Sequence, residues 1–400
     1  MKDSLLLKLL AITVFLLFSA CQANVQTQPT PAALPPASED TSHEVADLYE
    51  AADLYEAADL YEASEDETAY LPTDEGHISP EVAAIMERLL AEANEVSIGD
   101  GYISFSDDST RGFVTLDKNP QRVAVLFGSH ASLFTEAGGK VSVGIGGTSA
   151  IELYVQQLGR NIMEDEGVVT VATSSAASSW DIEAILAEMP DLIIVSTAMN
   201  GYGIMSGPAE AAGIPLVAIT YSGVNDYLKW FKVFSHLNSR QDLWESIGET
   251  VAYEIANIIL AVPRENNPRV LSLLPMPVSY RVDANLAGSD MGVIIEQLGG
   301  INVAAELWPD PYTVRVEIDL ETIFSLNPEI ILIQAFGGDE AAAEFIEEFL
   351  ASSPVWDALD AVINGRVYIM PHALFHVRPN SRYAEAYRLM AQRLYSDLDF

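Results

Sequence analysis

Short, uninterrupted runs of Val, Ile and Leu recur along the chain and alternate with segments that have helical spacing. Such runs are typical of parallel strands that helices cover on both faces, because neither face of the strand then meets water. The runs cover residues 123–127, 141–145, 192–195 and 216–219 in the first half, and 270–274, 330–333 and 367–370 in the second. The pattern predicts an α/β protein with two doubly wound, Rossmann-like lobes.

One long amphipathic helix is predicted between the two halves, ending at Pro263. Its apolar side chains are three or four positions apart, at Leu243, Ile247, Val251, Ile255 and Ile258. A stiff helix between two such lobes leaves a ligand cleft between the carboxyl ends of both sheets. The domain division is then an N-terminal lobe over 79–240, a linker helix over 241–264 and a C-terminal lobe over 265–400.

Two elements are predicted ahead of the first sheet. Residues 78–96 have helical spacing, with Ser79 as the cap and Pro80 in the first turn. Residues 102–116 alternate and turn at 107–112, which predicts a β-hairpin.

The N-terminus has the organisation of a bacterial export signal. Lys2 and Lys8 precede an apolar run over 9–18, about half the ~20 residues of a membrane-spanning helix, and small residues follow it. Residues 1–20 are therefore expected to be a signal peptide. The four residues ending at Cys21, the only cysteine, resemble the lipobox of bacterial lipoproteins, although Phe18 replaces the more usual Leu. That resemblance implies lipidation of Cys21 and an anchor on the outer face of the cell membrane; ordinary secretion is the alternative.

Residues 21–78 are expected to form a tether. A segment rich in Pro, Ala, Gln and Thr comes first, and the sequence Ala-Asp-Leu-Tyr-Glu then begins at Ala46, Ala52 and Ala58. A six-residue period matches neither a coiled coil nor one face of a helix, so no packed element is expected. The acidic repeat is interpreted as a self-repelling spacer, with a cation-binding or partner-binding arm as the alternative.

Composition excludes several classes of function. The chain has 20 Lys+Arg against 58 Asp+Glu, a net charge of −38, so nucleic acid is not expected as a partner. One cysteine excludes a disulfide framework and Cys-based metal sites. The sequence contains neither a Gly-x-Ser-x-Gly elbow nor a Walker loop, so an enzyme such as a chelatase is not favoured. A structural surface protein is a third class, but it leaves a cleft between two lobes unexplained.

From about Val96 onward the chain resembles the substrate-binding proteins of ABC importers for iron-siderophores and cobalamin, the class with a rigid helix between two lobes. The resemblance rests on six segments in the family's order, at residues 118–123, 180–194, 212–217, 298–303, 320–331 and 354–368. It implies a monomeric receptor, not an enzyme, with no intrinsic cofactor. The implied ligand is an iron-siderophore-like chelate, and haem, cobalamin or an oxyanion such as molybdate remain open.

The resemblance also implies a role for two glutamates. Glu183 and Glu321 occupy matching places in the two lobes, each near the start of a helix that precedes a strand. In the family, glutamates at these places form salt bridges to arginines of the membrane permease, which an ATPase drives. The alternative is that both are favoured only by the helix dipole.

Ligand contacts are expected in the loops that follow the strands. The candidates are His130, Tyr202, Tyr221, Tyr280, Arg281, His376 and Arg378. Aromatic rings offer faces for a planar or aryl ligand, and arginines offer charge-assisted donors to an anion. In so acidic a chain, Arg281 and Arg378 are the strongest candidates.

His372 and His376 are four residues apart and could form a metal site with His130. Pro371 and Pro379 bracket the pair, which argues against a helix that puts both rings on one face. No metal site is therefore predicted, with haem ligation by His or Tyr somewhat more favoured than direct ligation.

Overall fold

The computed structural model describes residues 78–109, 112–265, 267–396 and 398. The predicted signal peptide, Cys21 and the acidic repeat lie outside these residues. Within them, none of the helices has both the length and the apolar composition that a membrane span requires.

The chain enters the described region through the predicted helix and hairpin. Helix α1 covers Pro80–Leu89 and α2 Ala91–Asn94, and the Ser79 hydroxyl accepts a hydrogen bond from the Val82 amide. Strand β1 (Ser97–Ile98) pairs with β2 (Tyr102–Ser106), and β2 pairs antiparallel with β3 (Phe113–Asp117). Both predictions are confirmed.

A five-stranded, wholly parallel sheet forms the first lobe, in the order β6-β5-β4-β7-β8. Its elements are β4 Val123–Val125, α3 Gly128–Glu136, β5 Val141–Ile145, α4 Thr148–Leu158, β6 Val169–Ala172, α5 Ile182–Ala187, β7 Leu192–Ser196, α6 Gly201–Ala212, β8 Leu216–Ile219 and α7 Val224–Leu237. Strand β6 was not predicted, because this edge strand is only half-buried and lacks a continuous apolar run.

The linker helix runs from Gln241 to Ala261. It consists of α8 (Gln241–Leu243), a π-helical turn (Trp244–Gly248) and α9 (Glu249–Ala261). Val251, Ile255 and Ile258 are buried, as their spacing predicts.

The second lobe contains a six-stranded mixed sheet in the order β12-β10-β9-β13-β14, with β11 beside β9. Its elements are β9 Arg269–Met276, β10 Arg281–Asn285, α10 Asp290–Gln297, β11 Ile301–Asn302, α11 Val303–Leu307, β12 Arg315–Glu317, α12 Leu320–Leu326, β13 Ile330–Gln334, α13 Asp339–Phe345 with a π-helical turn Ile346–Leu350, α14 Asp360–Ile363, β14 Val367–Met370, α15 His372–Phe375 and α16 Tyr383–Leu394.

The expectation of a wholly parallel second sheet is wrong at one strand. β10 runs antiparallel to both of its neighbours, β9 and β12. Its polar residues alternate with Val282 and Ala284, so it has no apolar run. Arg281, predicted to lie in a loop, is the first residue of this strand.

One apolar cluster joins the two lobes. It includes Val123 and Tyr227 of the first lobe, Ile255 of the linker helix, and Met291 and Tyr387 of the second lobe. The lobes therefore share a core, beside two further clusters that are each confined to one lobe.

Candidate ligand cleft

Segments that follow strand ends bring the two lobes together. The Arg378 Nε atom donates to the Tyr221 carbonyl at 2.8 Å, and its Nη1 atom lies 3.6 Å from Asp290 Oδ2. The guanidinium carbon is 5.8 Å from the centre of the Tyr221 ring. Arg378 thus connects the loop after β8 to the start of α10 and braces the floor of the cleft.

Residues 379–382 complete this floor. The Tyr221 hydroxyl donates to Asn380 Oδ1 at 2.9 Å, and Asn380 Nδ2 donates to the Ser132 hydroxyl at 3.1 Å. The Ser381 hydroxyl donates to Glu136 Oε1 at 2.6 Å. Three first-lobe side chains are therefore hydrogen-bonded to one second-lobe segment.

His130 is only 2% exposed and lies in the first turn of α3. Its ring is 4.8 Å from that of Phe127 and 6.4 Å from that of Tyr221, centre to centre. Burial lowers the pKa of His130 to about 3, against the opposing effect of the Ile219 carbonyl. His130 and Tyr221 therefore form a neutral, aromatic part of the cleft floor.

The second-lobe wall carries a cationic group of side chains. Alternation along β10 places Arg281, Asp283 and Asn285 on one face, and the Asn285–Arg315 pairing adds Arg315 to it. Arg281 Nη2 donates to Asp283 Oδ2 at 3.2 Å, and Arg281 Nε lies 3.1 Å from Oδ1.

Arg315 was not identified from the sequence. Burial lowers the pKa of Arg315; Asp283 opposes this effect, while Arg378 and Arg281 lower the pKa further. Arg315 therefore lies within electrostatic range of both Arg281 and Arg378. The alternation Val314, Val316, Ile318 between polar residues was the signal that could have located β12 and its first residue, Arg315.

The histidine turn, residues 372–376, lies at the carboxyl end of β14. The prediction that Pro371 and Pro379 prevent a helix with both histidine rings on one face is wrong. Residues His372–Phe375 form a helical turn, and the His376 amide donates to the His372 carbonyl at 3.0 Å. The two rings stack, with centres 4.9 Å apart and planes at 29°. Pro371 precedes the first turn, where proline is tolerated, so it does not prevent this arrangement.

Contacts around the histidine turn fix its position. The His372 amide donates to Asp339 Oδ1 at 2.7 Å, and the ring of Phe336 meets that of His376 edge-on at 5.0 Å. Gln334 Nε2 donates to the Phe375 carbonyl at 2.6 Å. The turn is thus attached to the carboxyl end of β13.

The two predicted tyrosines outside the floor lie in different surroundings. Tyr280 is 76% exposed and adopts a φ of 49° between β9 and β10. Tyr202 lies in the first turn of α6 and packs against an apolar cluster of the first lobe. Tyr280 therefore neighbours Arg281, whereas Tyr202 is partly used in packing.

The two predicted docking glutamates have equivalent local geometry. Glu183 is exposed in the first turn of α5, where Asp181 caps the helix by accepting from the Ala184 amide at 3.0 Å. Glu321 is exposed in the first turn of α12, where Asp319 accepts from the Thr322 amide at 2.7 Å.

Two further features of the structure bear on the site. Among the residues that the structure describes, no group of three or more His, Cys, Asp and Glu side chains could hold a metal ion. A cavity of about 490 Å³ lies between α1, the linker helix and α10, and not at the strand ends; four polar side chains and several apolar ones line it, the polar ones being Arg88, Arg264, Glu296 and Gln297.

Comparisons with known proteins agree with this architecture. A family model described as "Periplasmic binding protein" matches residues 123–374. The "High-affinity heme uptake system protein IsdE" of Staphylococcus aureus is 26% identical over 137 residues, which are 34% of this chain and 45% of that protein. The chain thus spans less than half the length of the curated relatives that it matches.

Two solved structures are similar in fold. An ABC transporter substrate-binding protein from Listeria monocytogenes EGD-e has a TM-score of 0.56 at 19% identity, over 70% of this chain and 100% of that one. The structure of an "ABC-type Fe3+-hydroxamate transport system" from Saccharomonospora viridis DSM 43017 has a TM-score of 0.51 at 16% identity, over 73% of this chain and 98% of that one.

Proposed function

The chain belongs to the periplasmic binding protein family, and from this premise we propose that it is the substrate-binding lipoprotein of an ABC importer. It captures an iron-siderophore-like chelate in the cleft between the lobes and delivers it to the membrane permease. It binds its ligand and does not catalyse a reaction on it.

The cationic wall of the second lobe is the observation that carries this proposal. In a chain with a net charge of −38, Arg281 and Arg315 lie on one face at the cleft, and Arg378 lies within electrostatic range of Arg315. Guanidinium groups donate charge-assisted hydrogen bonds to carboxylate and catecholate oxygens. The wall therefore suits an anionic chelate, and the exposed ring of Tyr280 offers it an aromatic face.

A ligand panel tests the proposal. The full chain is titrated with ferric catecholate and ferric hydroxamate siderophores, haem, cobalamin and molybdate, with thermal unfolding as the readout. A ligand at 100 times its Kd stabilises the folded state by about 2.7 kcal/mol. We expect one ferric chelate to raise the melting temperature, and no shift with either ferric chelate would contradict the proposed substrate class.

Arginine variants locate the binding surface. R281A and R315A should each weaken binding of an anionic chelate about 10- to 100-fold, because each removes a charge-assisted hydrogen bond of about 1.5–3 kcal/mol. R269A is the matched control, since Arg269 begins β9 at the opposite end of the sheet and pairs with Glu306 at 3.1 Å. Unchanged affinity in both cleft variants would place the ligand elsewhere.

Haem is the second candidate ligand. The observation that favours it is the similarity to a staphylococcal protein whose name specifies heme uptake. In the same panel, haem binding would appear as a shifted visible absorption band, and a shift for haem with none for the siderophores would select this candidate.

Two further parts of the proposal concern the cell envelope. Glu183 and Glu321 are proposed to dock the receptor on its permease and thereby on the transporter's ATPase. Cys21 is proposed to carry the lipid, with the segment 21–78 as spacer; palmitate labelling that persists in C21A would contradict this.

A further inference from the structure

The stacked histidines of the cleft have no role in the proposal above. We propose that His372 and His376 form a two-imidazole clamp that occupies two open coordination positions on the metal of the bound chelate. The site would then favour chelators that leave their metal unsaturated. This inference rests on the proposed function and narrows its substrate class.

The spacing of the two rings carries the first step. Residues i and i+4 of a helical turn share one face, which is the arrangement that metal-binding helices use for paired imidazoles. The hydrogen bond from His376 N to the His372 carbonyl shows that the turn is α-helical. With metal–nitrogen bonds of about 2.1 Å, two neighbouring ligand nitrogens are about 3 Å apart, which stacked rings 4.9 Å between centres reach by side-chain rotation.

The position of the pair carries the second step. Arg315 and Arg378 lie within electrostatic range of His376, and Glu152 of the first lobe lies within range of His372. The two rings therefore lie beside the cationic wall and near the first lobe.

An unsatisfied nitrogen carries the third step. His376 Nδ1 is buried and has no hydrogen-bond partner among the described residues. A buried polar atom without a partner lowers stability, and a metal bound at this nitrogen would supply the missing partner.

The surroundings hold the pair in place before any ligand binds. Asp339 fixes the His372 amide, Gln334 fixes the Phe375 carbonyl, and the Phe336 edge supports the His376 ring. Such support from neighbouring groups reduces the entropy that binding would otherwise cost.

The pair is not a complete metal site. The described residues supply no third ligand to the two rings. The remaining donors must therefore come from the chelator, whose anionic groups Arg281 and Arg315 are placed to bind. A bare ion would bind weakly, and a chelate with two open positions would bind best.

Two nickel complexes test this directly. Nickel nitrilotriacetate has four chelator donors and leaves two positions open, whereas nickel ethylenediaminetetraacetate has six and leaves none. Both are titrated into the full chain, purified without a histidine tag. We expect the first complex to bind about tenfold or more tightly than the second, with a visible absorption shift from imidazole coordination.

Histidine variants identify the ligands. H372Q and H376Q should each weaken binding of nickel nitrilotriacetate about tenfold or more and remove the absorption shift. H236Q is the control, because His236 lies in the last turn of α7 and outside the strand-end loops. A ferric siderophore that saturates its metal should bind all these variants as it binds the natural chain, which also shows that they are folded.

The contrary outcomes distinguish failure of the clamp from failure of the proposed function. Equal binding of the two nickel complexes, or binding that H372Q and H376Q leave unchanged, would overturn the clamp and leave the proposed function intact. Binding of a saturated ferric chelate without any binding of nickel nitrilotriacetate would do the same. No binding of any chelate would overturn both.

Discussion

Single residues at the floor of the cleft hold the two lobes together. Arg378 was predicted as a ligand contact, and the structure places its guanidinium between the Tyr221 carbonyl and Asp290. A side chain with these partners is less free to meet a ligand than Arg281 or Arg315. Truncating Arg378 should therefore lower stability as well as ligand affinity, because it leaves the buried Asp290 carboxylate without its cation.

Ionisation of Glu136 makes the stability contributed by the cleft floor depend on pH. Burial raises the pKa of Glu136 to about 7 from its ordinary value of 4.5, although hydrogen bonds from Ser381 and Tyr227 lower it. Because the folded state binds this proton more tightly than the unfolded state, its contribution to stability is full below pH 4.5 and declines up to pH 7.

Substitution of Glu136 by Gln should remove that decline. Between pH 4.5 and 8, the natural chain should lose about 3 kcal/mol of unfolding free energy relative to E136Q, measured by urea unfolding at several pH values. E210Q, at an exposed position of α6, is the control. If the unfolding free energies of the natural chain and E136Q change in parallel with pH, Glu136 has the same pKa in the folded and unfolded states.

At the scale of the element, the linker helix depends on close packing of the Gly248 backbone against the Trp244 indole. An added Cβ atom at Gly248 would lie 2.5 Å from Cε3 of Trp244 and 3.2 Å from Cδ1 of Phe231. Trp244 is 5% exposed, and its indole N–H donates to Glu249 at 3.1 Å. The π-helical turn at Trp244–Gly248 therefore needs a glycine at its end for packing rather than for backbone freedom.

G248A should destabilise the protein by about 1–3 kcal/mol, because the buried indole must move to admit the methyl group. G101A is the matched control, since a Cβ atom there meets nothing within 4 Å. Urea midpoints report both changes, and equal midpoints for the two variants would mean that the turn relaxes without cost.

At the scale of the whole molecule, a shared core and the hydrogen bonds of residues 379–382 join the lobes. Closure by a large hinge motion would break these contacts, so small lobe movements on ligand binding are expected. A receptor of this kind presents nearly the same outer surface with and without ligand. The exposed glutamates at equivalent places on the two lobes are suited to such a surface.

Charge reversal tests the docking role. The double variant E183K/E321K should reduce uptake of the ligand about tenfold or more and leave its Kd unchanged, because like charges would then face the permease arginines. E210K/E347K makes the same change in net charge at other exposed positions and serves as the control. Normal uptake by E183K/E321K would refute the docking role.

The sequence by itself determined the fold class, the linker helix and most of the strands, since buried parallel strands need continuous apolar runs and an amphipathic helix needs its period. Val141–Ile145, Leu216–Ile219 and Val367–Met370 have the predicted bounds. It did not determine β6, β10 or β12, because a half-exposed or antiparallel strand carries no such run.

Only the tertiary structure decided the composition of the cleft wall. Arg315 comes beside Arg281 through the register of β10 with β12, and two histidines share a face because Pro371 falls just before a helical turn. Arg378 and Tyr221 bind each other across 157 positions of the chain. Local patterns report the period of an element, whereas pairing across the chain depends on how the elements pack, and the cleft is made of such pairs.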